Sequence, residues 1–217
     1  MFDQKDIAAY YDQTEVHYQR FWDLEKSKAL HYGIWDKETK SFKESLLNTN
    51  KELAGKAQIR ETDMVLDAGC GVGGSAFFLA KKYGCTVKGI SLSTKQIMKA
   101  NQNSIASNLN HLLSFEKKDF CKTGYPENSF DVVWALESMG SAKNKVDFIK
   151  EVKRLLKKGG RLILADYFKT SDYLIEKETI MKTWLNGWAI SDIETANSFK
   201  KELENGGFYS LCSAGYN

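Results

Sequence analysis

Apolar residues in this chain fall into short continuous runs separated by longer stretches in which they recur at helical spacing. Runs of the first kind read as strands buried on both faces, stretches of the second kind as helices packed on one side. The first run, 64–66, enters a glycine-rich turn, and a helix follows over 75–83 with Ala76, Phe77, Leu79 and Ala80 on its apolar side and Gly84 as its stop. A strand is expected over 85–90. Ser93 and Gln96 then form a capping box opening a helix to about 108, and strands follow at 112–116 and 130–136. A helix over 147–156, closed by Gly159 and Gly160, leads to a strand over 161–166. Upstream, Ser41 and Glu44 open a helix to about 57. Downstream, Ser191 and Glu194 open one to 205, and Gly206 and Gly207 hand over to a strand at 208–212. Strands alternating with helices predict an α/β fold, a mostly parallel sheet with helices on both faces.

Composition changes this picture little. The chain has 217 residues, enough for one domain with a small appendage, and is 42% apolar and 27% charged, which suits a folded domain with a sizeable core. A net charge of +3 on interspersed acids and bases argues against nucleic acid as a partner, and Arg occurs only at 20, 60, 154 and 161. Cys70, Cys85, Cys121 and Cys212 form no C-x-x-C pair, so no metal site is signalled and free thiols in a reducing cytoplasm are expected. The first residues lack the apolar core of a signal peptide, and no run nears the ~18 apolar residues of a membrane span. The expectation is a cytoplasmic protein with a small-molecule partner.

Candidate chemistry sits in the stretch VLDAGCGVGGS at 65–75, where Gly69, Gly71, Gly73 and Gly74 follow an apolar run ending in Asp67. Glycines between a strand and a helix provide a tight turn and let a ligand approach the backbone. A pyrophosphate would be repelled by Asp67, whereas a carboxylate there suits a cationic ligand such as S-adenosylmethionine, with its amino group and sulfonium. A dinucleotide also wants an acid about 20 residues on for its ribose. Between Ala68 and Phe115 there is no Asp or Glu at all, so the nicotinamide reading fails twice.

These residues, with FDVVWALESM at 130–139 and LLKKGGRLILADYF at 155–168, resemble the motifs of the class I S-adenosylmethionine-dependent methyltransferases in order and spacing. The pattern Gly89-Ile90-Ser91-Leu92-Ser93 followed by Gln96 is similar to that of the tocopherol, sterol and macrolide methyltransferase group and of cyclopropane fatty acid synthases. The resemblance implies a Rossmann-like class I fold over a single domain, 1–217: an N-terminal helical lid at 1–60, a cofactor core at 61–170, and a substrate cover at 171–217. That class carries a seventh, antiparallel strand, which a chain ending at Asn217 is expected to lack. The resemblance also implies that Asp67, Gly69, Cys70 and Gly71 hold the cofactor S-adenosyl-L-methionine. Ser91, the Leu92 backbone and Gln96 would take its ribose, Asp119 and Phe120 its adenine, with Ala135 and Leu136 beneath. Tyr11 and Asp12, with His31, Tyr32 and Gly33, resemble two N-terminal patches that close over the cofactor carboxylate.

Methyl transfer to oxygen or carbon needs a proton acceptor. Glu137, just past the fourth strand, is the first candidate base, and His31 in the lid is the alternative; His17 and His111 read as surface or helix-end residues. Relatives often carry a His shortly after this Glu, which this chain lacks. Trp184 and Trp188, four residues apart and so on one helical face, read either as core or, with Met181, as an apolar pocket that would favour a lipophilic or aromatic acceptor such as a prenylated quinol, sterol or polyketide. Three other functions stay open: small-amine N-methylation, a non-catalytic cofactor-binding module, and cyclopropanation.

Overall fold

The computed structural model describes residues 2–21 (side chains to Thr14), 28–170, 178–190 (side chains from Thr179), 192–209 and 212–215. His17 and the Ser191 cap lie outside the described side chains.

Helix α1, Gln4–Phe21, comes first; residues 28–41, which carry no helix or strand, lead into helix α2, Phe42–Ala57, whose N-cap Ser41 accepts the Glu44 N–H. Strand β1, Met64–Ala68, then opens the sheet. Four further strands follow: β2 Thr86–Ser91, β3 Leu113–Lys117, β4 Phe130–Leu136 and β5 Leu156–Ala165. Helices α3 (Gly74–Tyr83), α4 (Thr94–Ala106) and α5 (Lys145–Leu155) connect them, and α6 (Glu178–Gly187) and α7 (Ala196–Asn205) follow β5.

The five strands run parallel in the order β3-β2-β1-β4-β5. The chain leaves β1 in one direction and returns on its other side as β4, so the crevice at the carboxyl end of β1 is the topological switch point. Alternation along the strands feeds two cores. Val65, Val87, Val132 and Trp134 pack on one face; Leu66, Ile90, Val133 and Ala135 pack on the other with Phe148 and Leu155 of α5. Each large apolar side chain so buried contributes roughly 1.5–3 kcal/mol. The central strands are therefore rigid supports for whatever their ends carry.

Three expectations are corrected. The glycines at 159 and 160 do not stop a helix. Leu156 is already extended and pairs with Phe130, while Arg161 pairs with Val132, so residues 157–160 bulge opposite Asp131. Gly159, at φ +77, makes that bulge, and Lys157 reaches back to Asp131 at 2.7 Å. The last helix starts at Ala196 rather than after residue 191. Lys169 bridges to Thr195 and donates its N–H to the Glu194 carbonyl, which holds the preceding residues extended, and the Thr195 hydroxyl caps the helix by accepting the Ser198 N–H. The strand expected at 208–212 does not appear among its described residues. Residues 210 and 211 lie outside them, Phe208 and Tyr209 carry no strand, and Tyr209 is 80% exposed.

Candidate active site

The carboxyl ends of β1, β2 and β4 open into one cavity. Asp67, Gly69, Cys70 and Gly71 line it from the glycine loop, Ser91, Leu92 and Gln96 from the end of β2 and the start of α4, and Phe120 from beyond β3. Glu137 lines it from the end of β4, and Tyr11 and His31 from the N-terminal segment.

The glycine loop keeps side chains out for two reasons. Gly69 has φ +98, and a Cβ there would run into the Ser138 side chain, whose hydroxyl donates to the Ala68 carbonyl at 2.6 Å. Gly71 has φ +52 and faces Leu30 of the N-terminal segment, 2.8 Å from where its Cβ would be. Asp67 is 2% exposed. Its carboxylate accepts the Ala76 N–H, but Oδ2 has no hydrogen-bond partner. Burial pushes its pKa up to about 7. An acceptor oxygen left unmatched in a buried wall is costly unless a donor arrives.

At the end of β2 the capping box is only half made. Ser93 Oγ accepts the Gln96 N–H at 3.1 Å, but the Gln96 carboxamide turns away from the cap and accepts the Ser91 hydroxyl at 2.7 Å. Ser91 Oγ in turn accepts the Ser93 N–H at 3.1 Å. The Ser91–Gln96 pair at this corner of the cavity is therefore neutral and internally hydrogen-bonded.

Ala135, Gly33, Asp119 and Tyr32, also predicted, do not line the cavity, and neither does Asp12. Ala135 is buried beneath it in the sheet core. Gly33 packs against Ser45 of α2, where a side chain would clash. Asp119 accepts the Cys121 N–H through Oδ1 (2.8 Å) and the Gln4 side-chain amide through Oδ2 (2.6 Å), so α1 ties down the residue next to Phe120. Tyr32 acts through its backbone, donating its N–H to Glu137 Oε1 at 2.8 Å, while its ring is 44% exposed.

Helix α1 covers the cavity. Ile7 and Tyr11 line it, the Tyr11 hydroxyl bonds the Ser141 side chain, and Asp12 Oδ1 accepts the Ser93 hydroxyl at 2.6 Å. Burial pushes the Tyr11 phenol up to about 12. His31 is buried, and both ring nitrogens are engaged. Nδ1 lies 2.8 Å from the Tyr32 carbonyl and so carries the proton, and Nε2 accepts the Asn50 amide at 3.3 Å. Burial lowers the imidazole pKa and keeps it neutral. Glu137 is held at both oxygens, Oε1 by Tyr32 and Oε2 by the Tyr167 hydroxyl at 2.6 Å, and burial raises its pKa to about 7. Among the described residues no cluster of His, Cys, Asp and Glu could hold a metal ion, and no helix is long and apolar enough to cross a membrane.

A family model described as a methyltransferase domain matches residues 66–164, from β1 almost to the end of β5. Residues 66–164 form a methyltransferase domain. The chain is 38% identical over 138 residues to 27-O-demethylrifamycin SV methyltransferase of Amycolatopsis mediterranei, covering 64% of this chain and 51% of that protein. It is 34% identical over 174 residues to the sterol 24-C-methyltransferase of Kluyveromyces lactis, covering 79% and 47%. A solved geranyl diphosphate methyltransferase, in complex with GPP and sinefungin, matches with a TM-score of 0.79 over 94% of this chain and 78% of its own, at 20% identity. That likeness establishes the fold, the Rossmann-like one of the class I methyltransferases. The chain spans about half the length of the curated relatives it matches.

The methyltransferase domain supplies the glycine loop, the β2 corner and Glu137. Tyr11, His31, Tyr32 and Tyr167 come from outside the matched stretch. Sequence reading missed Tyr167, and also Gln4, whose amide meets Asp119 across 115 positions. No local pattern marks Tyr167: Leu136 pairs with Ala165, so Asp166 is the residue level with Glu137, and only the register of β4 and β5 brings Tyr167 near it. The two tryptophans do meet, at 6.2 Å, but Trp188 lies past the end of α6, in a turn, rather than on one helical face with Trp184.

Proposed function

We propose that the protein is an S-adenosylmethionine-dependent methyltransferase acting on oxygen or carbon of a small, lipophilic acceptor. The observation that carries this reading is the pairing, in one cavity, of the unpartnered Asp67 oxygen on the glycine-loop wall with Glu137 on the β4 wall. Asp67 Oδ2 lacks a donor, which an amino group would supply, and the ionised carboxylate would favour a cation. Ser91 and Gln96 offer neutral partners to ribose hydroxyls, and Phe120 an apolar wall for adenine. Bound there, the cofactor supplies an electrophilic methyl carbon. The chain's own residues then align and desolvate the acceptor.

Glu137 is the base in this reading. Its raised pKa places it near neutrality, where a general base works best, and each carboxylate oxygen keeps a further lone pair beyond the one already bonded. His31 shapes the lid, because its Nε2 lone pair is committed to Asn50. Tyr32, Tyr167, Trp184 and Trp188 form a closed ring of aromatic contacts, with centroids 5.5–6.2 Å apart, beside Glu137; they would receive an aromatic or lipophilic acceptor. Residues 1–60 serve as lid, 61–170 as cofactor core and 171–217 as acceptor cover. The protein works in the cytoplasm, in keeping with its free cysteines.

S-adenosylhomocysteine tests the reading directly. At 100 times its dissociation constant it should stabilise the fold by about 2.7 kcal/mol and raise Tm by roughly 5–10 °C. NAD and NADP should leave Tm unchanged. A folded sample that does not respond to S-adenosylhomocysteine would end this reading.

A further inference from the structure

Glu137 has φ +49, a left-handed backbone that a residue with a Cβ seldom adopts. Its N–H still donates to the Ala165 carbonyl at 2.7 Å, so the main chain is anchored to β5 while it turns sharply out of β4. Strain held at the mouth of a cavity points to a required side-chain placement. Two contacts take hold of that side chain from opposite directions. The Tyr32 N–H caps Oε1 from the N-terminal segment, 105 residues away in sequence. The Tyr167 hydroxyl caps Oε2 from the residues just beyond β5, 30 residues away.

The two contacts are themselves supported. The Tyr32 carbonyl accepts from His31 Nδ1 and from the Thr49 hydroxyl at 3.1 Å, which fixes the peptide whose neighbour presents the N–H. The Tyr167 ring stands edge-on to Tyr32 at 6.0 Å and to Trp184 at 5.5 Å. Its backbone N–H donates to Asp166 Oδ1 at 2.9 Å, and Asp166 Oδ2 accepts the Gly140 N–H at 3.0 Å. Tyr167 is thus locked at both ring and backbone, and its hydroxyl has a single place to go.

We propose that Tyr167 is a positioning residue for the reaction, its hydroxyl setting the direction in which the Glu137 carboxylate faces the acceptor. A donor on a carboxylate also favours the charged form, so the same bond opposes the burial that raises the proton affinity of Glu137. The other ionisable groups facing Glu137 are Tyr11 of α1, Tyr32 of the lid segment and Asp166. Of these, Asp166 pushes the Glu137 pKa further upward. Tyr167 is therefore the one side-chain donor among them that works to keep the base ionised. The same ring borders the aromatic contacts proposed to receive the acceptor, so acceptor seating and base orientation share one residue.

This inference rests on Glu137 being the base, and its test is chosen to be separable from that reading. The Glu137 carboxyl can be titrated by carbon-13 NMR on glutamate-labelled protein, with Glu137→Gln identifying its signal, and neither cofactor nor acceptor is needed. Tyr167→Phe should raise the Glu137 midpoint by about one pH unit or more. The acid limb of the single-turnover pH profile should move the same way, with S-adenosylhomocysteine affinity essentially unchanged. Trp184→Phe disturbs the same aromatic packing but leaves the hydroxyl, and should not move the midpoint. An unmoved midpoint in folded Tyr167→Phe, or an equal shift in Trp184→Phe, overturns the proposal. Should S-adenosylhomocysteine fail to bind the unaltered protein, the functional reading falls, but the titration still decides what Tyr167 does.

Discussion

The two sides of the cavity are built in opposite ways. On the β1–β2 side the contributing residues lie within one stretch of chain, from Asp67 to Gln96, and their polar contacts are mostly short-range, Ser91 with Gln96 and Ser93 with its own helix, with Asp12 of α1 reaching Ser93 from 81 residues away. On the β4–β5 side, Glu137 meets Tyr32 and Tyr167, brought from segments 105 and 30 residues distant. The first side is a largely local cradle, in which the neutral Ser91–Gln96 pair lies alongside the buried Asp67 carboxylate and Asp12 caps Ser93 from α1. The second is a carboxylate clamp that exists only when three segments have docked. A contiguous cradle suits a ligand that is always the same, and an assembled clamp suits chemistry that must wait for the lid. Binding and transfer should therefore respond to different substitutions.

The largest expected effect breaks the clamp. Glu137→Gln keeps size and hydrogen-bonding reach but cannot take up a proton, so single-turnover transfer to a prenylated quinol should fall by ~10²–10⁴. If the rate at high pH is nearly unaffected, the acceptor loses its proton without help, and the amine reading gains.

A second expectation concerns stability and pH. Burial raises the folded pKa of Glu137 from 4.5 to about 7, so between those values the folded state holds a proton that the unfolded state has lost. Stability from this group is thus present below about pH 4.5 and is lost as pH rises towards 7. Removing the group should be worth roughly 3 kcal/mol more at pH 8 than at pH 4.5. His31, whose pKa is lowered, works the other way, losing stability as pH falls through its unfolded value. The check is therefore the difference in denaturant stability between Glu137→Gln and the unaltered protein at the two pH values, in which His31 cancels. An equal difference at both would mean that burial does not raise this carboxyl.

How far the sequence reached follows the same division. The β1 turn and β2 corner were legible because their information is local: apolar runs, a glycine turn, and cap hydroxyls three residues from the N–H they serve. The glycines at 159 and 160 misled because a bulge and a helix stop use the same residue, and only the pairing of Phe130 with Leu156 separates them. Ser191 and Thr195 both match an N-cap, and the bridge to Lys169, 26 positions back, favours the second. The partner of Gln96 could not be read from its capping-box spacing, since its backbone serves the cap while its side chain serves Ser91. Tyr167 looked like any aromatic after a strand. Its role appears only once β4 and β5 are laid in register.

The smallest expected effect lies in the cradle. Ser91→Ala and Gln96→Ala each remove one neutral hydrogen bond, worth roughly 0.5–1.5 kcal/mol, so each should weaken S-adenosylhomocysteine by about tenfold or less. Because the two side chains bond one another, the double variant should cost less than the sum of the singles. Additive losses by calorimetry would mean that they contact the ligand independently.

The central claim, that the two sides are separable, is tested most directly by titrating S-adenosylhomocysteine into Glu137→Gln protein by calorimetry. The account predicts an affinity essentially equal to that of the unaltered protein, because the cradle from Asp67 to Gln96 is untouched. A collapse of affinity would contradict it and would place Glu137 among the residues that hold the cofactor.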